Sequence, residues 1–167
     1  MGLLPGTTFD EFFEEFLVGH VPFGSYFDNV LSWYARRNDP NVLFFYYETL
    51  KERPVTVTLD IAEFLDARIA ERLRGDEALL RYIVDKTSFG SLKASAISAI
   101  SELGTEKGKA GLEKDRLDNL ARNFFRKGEV GDWKRHLKPE QEQRLRRLCE
   151  ERLKGTGMWR TWKKWFQ

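Results

Sequence analysis

The stretch from Phe124 to Lys134, Phe-Phe-Arg-Lys-Gly-Glu-Val-Gly-Asp-Trp-Lys, gathers residue types suited to holding a phosphate. Arg126 and Lys127 set two cations beside Gly128, whose missing Cβ lets a backbone N–H come close to an anion. The planar guanidinium of an arginine can also give two parallel hydrogen bonds to phosphate oxygens. Gly131 supplies a second permissive turn, and Asp132, Trp133 and Lys134 add a possible ion pair and a large apolar anchor for the loop. A solvated basic turn tied down by a tryptophan has the same composition, and spacing alone does not separate the two readings.

Such a loop must be carried by a folded body, and the chain supplies one that is mostly helical. Thr8 and Glu11 form a capping box, followed by Phe9, Phe12, Phe13, Phe16 and Leu17 at helical spacing, a phenylalanine stripe best read as a core face. Gly19-His20 ends this helix, and His20 has no partner in sequence that would give it a catalytic role. Ser25 caps a second helix reaching about Arg37, with Phe27, Val30, Leu31 and Tyr34 on one side. Asn38 to Asn41 is a turn, and Val42 to Tyr47, apolar and without alternation, predicts one main strand buried on both faces. A lone strand has no ladder partners for its N–H and C=O groups, so this pattern calls for further strands.

Pro54 opens a third helix carrying Val55, Leu59, Ala62 and Leu65, with Lys51 to Arg53 as its polar lead-in. Arg68–Leu73 and Asp76–Val84 follow as helices, and Pro139 starts a long one whose inner face holds Leu145, Leu148, Cys149 and Leu153. Residues 156–167 form a basic tail in which Trp159, Trp162 and Trp165 lie three apart among Arg160, Lys163 and Lys164. That face can rest on a membrane surface, dock a partner or, as we expect, pack back on the body. Gly104 to Ala110 superficially suggests a nucleotide-binding P-loop, but the glycine spacing is too short, Ala110 replaces Ser or Thr, and no strand precedes it.

With 167 residues, 41% of them hydrophobic and 14% aromatic, the chain has apolar material for one core of domain size. The net charge of +2 hides an asymmetry: residues 1–121 hold 14 Lys and Arg against 20 Asp and Glu, and residues 122–167 hold 14 against 6. A basic end suits nucleic acid, a membrane surface or a polyanionic small ligand, and only the loop at 124–134 favours the last. No aromatic and basic interleaving around that loop matches an RNA- or DNA-reading pattern. The single cysteine, Cys149, excludes an intrachain disulfide and any cysteine-cluster metal site, and it fits a reducing compartment. No apolar run approaches the about 18 residues of a membrane span, and Met1-Gly2-Leu3-Leu4 leads directly into Pro5, so a cytoplasmic protein is expected.

Arg126-Lys127-Gly128-Glu129-Val130-Gly131-Asp132-Trp133-Lys134 resembles the C-terminal signature of the cytosolic sulfotransferases, which transfer a sulfuryl group from PAPS (3′-phosphoadenosine 5′-phosphosulfate) to hydroxyls or amines. Pro5-Gly6-Thr7, Phe23 to Phe27, Val42 to Glu48, Ile61 to Leu65 and Thr87-Ser88-Phe89 follow in that family's order. The resemblance implies an α/β fold, the C-terminal part of a P-loop-type three-layer sulfotransferase, here mostly α-helical with one main buried strand at about 42–47. It implies that Tyr47 touches the adenine of PAPS, that Thr87, Ser88 and Phe89 form a second adenine-binding segment, and that Phe125 lies near the adenosine. Arg126 would bind the 3′-phosphate, with Lys127 and Gly128 completing the cradle.

By the resemblance, the family's phosphosulfate-loop lysine, its catalytic histidine and the arginine and serine that help hold the 3′-phosphate fall before the point where residues 1–167 begin and have no counterpart among them. Residues 1–167 are therefore expected to be one incomplete domain that does not sustain turnover alone and carries no catalytic residue. Residues 90–121 correspond to the flap over the acceptor pocket. The resemblance implies a small-molecule acceptor of phenol, alcohol, steroid or amine type and no metal. Lys134 opens the family's dimer motif, Lys-x-x-x-Thr-Val-x-x-x-Glu, but Lys138, Pro139 and Gln143 occupy its Thr, Val and Glu positions, which weakens the expectation of a homodimer. The alternative is a non-catalytic interaction module that uses the basic, tryptophan-rich C-terminus.

Overall fold

The computed structural model describes residues 6–105, 125 and 127–166. Among them run nine α-helices: α1 (Phe9–Val18), α2 (Tyr26–Ala35), α3 (Tyr47–Glu52), α4 (Pro54–Leu65), α5 (Ala67–Gly75), α6 (Glu77–Lys86), α7 (Phe89–Thr105), α8 (Pro139–Leu153) and α9 (Gly157–Trp162). Short 3₁₀ turns cover Asp132–Arg135 and Lys163–Phe166. The chain divides into two compact units, Met1–Phe44 with Gly131–Gln167, and Phe45–Val130.

In the first unit α8 packs against α1, α2 and α9. The start of α1 is fixed locally: the Glu11 N–H donates to Thr8 Oγ1 at 3.3 Å while the Thr8 N–H donates to Glu11 Oε2 at 2.8 Å, completing the capping box. Ser25 caps α2 by accepting from the Asp28 N–H. Phe13, Phe27, Cys149, Leu153 and Met158 are buried, so the phenylalanine stripe of α1 and the leucine face of α8 both serve as core. Burial pushes the Cys149 thiol up to about 12, which keeps it protonated and unreactive at neutral pH.

A row of charged pairs joins the basic helix α8 to the acidic helices beside it. Asp10 accepts from Lys138 Nζ at 2.6 Å and from Gln141 Nε2 at 2.9 Å. Arg144 grips Glu14 with both terminal nitrogens, at 2.6 and 2.7 Å, and Arg152 pairs with Asp28. Part of the charge asymmetry along the sequence is thus neutralised inside the molecule.

Hydrogen bonds from Lys138 and Gln141 hold the Asp10 carboxyl below its ordinary 3.8, and those from Arg144 hold Glu14 below 4.5. A carboxylate with a depressed folded-state pKa stabilises the fold above its ordinary value, and that contribution is lost as pH falls through the depressed one. Urea midpoints should therefore drop as pH is lowered below about 4.5, and Asp10→Asn combined with Glu14→Gln should flatten that drop. An unchanged acid slope in the double variant would show that these pairs contribute nothing.

In the second unit α4, α5 and α6 enclose Ala62, Ala70, Leu73 and Leu80, flanked by Leu59, Leu79, Ile83 and Val84. Pro54 occupies the first turn of α4, where its missing N–H costs no helical hydrogen bond. Asp66 and Asp76 cap α5 and α6 by accepting from the N–H groups of Arg68 and Leu79 at 2.9 Å.

The strand expected at 42–47 does not form. Residues 42–46 belong to neither helix nor strand, α3 begins at Tyr47, and no strand occurs among the described residues. A single extended segment lacks neighbours to complete a ladder, and at 47 the local helical hydrogen bonds are the ones available to the backbone. Helix α3 itself was not anticipated, because Lys51 to Arg53 reads as the lead-in to Pro54. The tryptophan-rich tail packs back on its own unit: Trp162 stacks on Tyr26 with centroids 5.8 Å apart, and Phe166 lies against Trp133 at 5.3 Å and Trp159 at 6.0 Å. No helix among the described residues is long and apolar enough to cross a membrane.

Candidate functional site

The second unit brings together two sequence segments singled out for nucleotide contact. Phe89 opens α7, and its ring lies edge-on to Phe125 with centroids 5.8 Å apart. Gly128 takes φ +65, and a Cβ placed there would fall 2.3 Å from Phe89 Cδ2 and 2.6 Å from Cγ. Only glycine fits, for two independent reasons: the left-handed backbone and the ring lying against it. Gly128 therefore presents bare backbone to the Phe89 ring.

The residues beside Phe89 are set by the junction of α6 and α7. Thr87 ends α6, with its N–H donating to the Ile83 carbonyl at 2.9 Å and its hydroxyl donating to the same oxygen at 2.8 Å. That hydroxyl proton is used, so Thr87 Oγ1 is left to act as an acceptor, the role an exocyclic amine of a base requires. Ser88 Oγ accepts from the Ser91 N–H at 3.3 Å, holding the first turn of α7. Phe89 is thus fixed at its root by two capping hydroxyls.

Tyr47 is the first residue of α3 and is 48% exposed. Lys51, one helical turn further and on the same side, sends its ammonium to 5.9 Å from the centre of the Phe89 ring. Sequence reasoning missed Lys51. The spacing of four from Tyr47 would have flagged it, but only once residues 47–52 were known to be helical. Lys127 is exposed, and Arg126 lies outside the described residues.

The remainder of the signature belongs to the first unit. Asp132 is buried, with Oδ1 3.7 Å from Arg135 Nη1 and Oδ2 3.3 Å from His136 Nε2. Trp133 packs on Phe166, as its reading as an anchor expected. Lys138, at a degenerate position of the dimer motif, is engaged by Asp10 of the same chain, and Pro139 begins α8. Among the described residues no three His, Cys, Asp or Glu side chains group as a metal site needs.

The geometry defines a helical protein in which a glycine of a basic loop is packed on an aromatic residue at a helix start. Residues 3–157 match the family model described as a sulfotransferase domain, and the chain belongs to that family. It is 35% identical over 155 residues to sulfotransferase 1B1 of Mus musculus, covering 93% of this chain and 46% of that protein. It is 31% identical over 154 residues to sulfotransferase 1C2 of Homo sapiens, covering 92% and 47%. The chain thus spans about half the length of the curated relatives it matches. Its structure is similar to the crystal structure of mouse sulfotransferase SULT7A1 complexed with PAP, with a TM-score of 0.68, 32% identity, and coverage of 97% of this chain and 53% of that one.

Proposed function

We propose that this chain carries the adenosine 3′-phosphate side of a PAPS-dependent sulfotransferase, both compact units being parts of one such domain of the α/β, P-loop-type class. The observation that carries the reading is the seat of Gly128 against Phe89, with Phe125 on the ring's edge. A nucleotide fits these residues: aromatic surface for the base, the Thr87 hydroxyl as acceptor, and a glycine with no Cβ to shield its backbone N–H. Phe89, Phe125 and Tyr47 would contact the adenosine, Thr87 and Ser88 would hold its base, and Arg126, Lys127 and the Gly128 backbone would bind the 3′-phosphate. Lys51 adds a cation beside the base, and the mouse relative solved with PAP supports the ligand class.

In the whole cytosolic enzyme, a base removes the acceptor proton, the acceptor oxygen or nitrogen bonds to sulfur, and the bond from sulfur to the bridging phosphate oxygen breaks. The acceptor is a small molecule. No residue here matches the family's catalytic histidine or phosphosulfate-loop lysine, so residues 1–167 alone should bind PAP weakly and transfer nothing.

Titration calorimetry of purified residues 1–167 with PAP should show binding that weakens as salt rises. Base stacking is worth about 1–3 kcal/mol, so Phe89→Ala should weaken it by about 5- to 150-fold while circular dichroism confirms a folded chain. No heat with PAP at low salt, or equal affinity in Phe89→Ala, would overturn the site. A radiolabelled assay showing robust PAPS-dependent product would overturn the inactivity.

A further inference from the structure

The cations of the first unit fall into two sets. Arg144 and Arg152 are paired with Glu14 and Asp28, and Arg146 with Glu142 and the Phe166 carbonyl. Arg147, Lys154, Arg160 and Lys163 make no ion pair or hydrogen bond with a described side chain, and all four line one open groove of about 670 Å³ where α8 meets α9. Glu150, Glu151, Trp159 and the Gly155-Thr156-Gly157 turn complete its lining. The sulfotransferase match ends at residue 157, so Trp159, Arg160 and Lys163 of the groove lie beyond it while the rest of the lining lies within it.

Trp159 and Trp162 of the tail are spent on packing and Lys164 lies over the Trp165 ring, whereas Arg160 and Lys163 are left to the groove. Trp162 is stacked on Tyr26 and Trp159 is packed on Phe166, whereas Arg160, Lys163 and Lys154 are exposed. A membrane-docking face needs the reverse, with aromatics outward. The cations come from α8, the turn after it, α9 and the following 3₁₀ turn, a spread along the chain that suits an extended anion better than a single phosphate. The carboxylates of Glu150 and Glu151 lie among them. A phosphodiester strand is anionic at every step and has no backbone donor to offer those carboxylates. A peptide can set its own carboxylates on the cations and its N–H groups on the glutamates.

We propose that the α8–α9 groove binds an extended acidic segment of a partner protein, held by Arg147, Lys154, Arg160 and Lys163. The test is fluorescence anisotropy of residues 1–167 with a fluorescein-labelled peptide of alternating Glu and Gly. An oligothymidylate of equal charge and phosphatidylserine vesicles serve as the other occupants.

The peptide should bind at low salt and be released as salt rises, and the double variant Arg160→Glu/Lys163→Glu should weaken it by about tenfold or more. Arg36→Glu, an exposed cation of the same unit outside the groove, should change affinity by less than about twofold. If the double variant fails to fold by circular dichroism, Lys154→Glu alone carries the test, with a several-fold loss expected. Absence of peptide binding, equal losses in the groove and Arg36 variants, or tighter binding of the oligothymidylate or the vesicles would each overturn the proposal. PAP titration of the same variants should be unchanged, which separates this groove from the nucleotide site.

Discussion

Gly128→Ala should abolish measurable PAP binding by residues 1–167 while leaving the α4–α6 core folded. Two effects act together. At φ +65 an alanine pays about 1–2 kcal/mol for the left-handed backbone. Its Cβ would also lie 2.3 to 2.7 Å from three atoms of the Phe89 ring, inside any tolerable contact, so either the ring leaves or the loop does. Each outcome separates the aromatic platform from the backbone proposed to bind the phosphate. The core residues Ala62, Ala70, Leu73 and Leu80 include neither partner, so helical circular dichroism should persist.

Gly131→Ala is the matched control. It also sits at positive φ, +79, but a Cβ there meets nothing within 4 Å. Backbone strain alone should lower stability by about 1–2 kcal/mol and leave PAP affinity nearly intact. Retention of wild-type affinity in Gly128→Ala would mean that the contact with Phe89 has no bearing on the ligand.

Leu153→Ala should be the most destabilising single truncation in the first unit. Leu153 is 0% exposed at the end of α8, in a unit whose other buried apolar residues, among those described, are Phe13, Phe27, Cys149 and Met158. Removing its isobutyl group forfeits burial and leaves a cavity, together about 2–5 kcal/mol, a large part of the about 5–15 kcal/mol available to a typical fold. Leu65→Ala, at a site 68% exposed, should cost no more than about 0.5 kcal/mol.

Cys149 supplies the readout. The only thiol of the chain is buried and pushed up to about 12, so it reacts with a disulfide reagent only when the unit opens. Labelling at neutral pH should be slow in the wild type and in Leu65→Ala, and faster by about 30-fold or more in Leu153→Ala. Equal labelling rates in all three proteins would contradict the assignment of Leu153 to the core.

The helices were legible because their signals are local. Thr8 with Glu11, Ser25, Pro54 and Pro139 each act within one turn of the chain, so their meaning does not depend on distant residues. Residues 42–47 misled for the opposite reason: an apolar run describes what a segment can pack against, but a strand exists only if another segment pairs with it. The lysine at 51 was invisible for the same cause, since its side of α3 is defined only when that helix is in place.

Composition showed an acidic body and a basic end and suggested an outside anion as the reason. The folded chain shows Asp10, Glu14 and Asp28 answering Lys138, Arg144 and Arg152, and leaves a smaller group of cations at the α8–α9 groove for other use. By itself the sequence determined where α1, α2, α4 and α8 start, and which loop has the residue types to approach a phosphate. Only the tertiary structure decided that Gly128 lies against Phe89 and that Trp162 of the tail stacks on Tyr26. Capping and periodicity act over a few bonds, whereas those contacts join residues tens to more than a hundred positions apart, and packing alone selects among them.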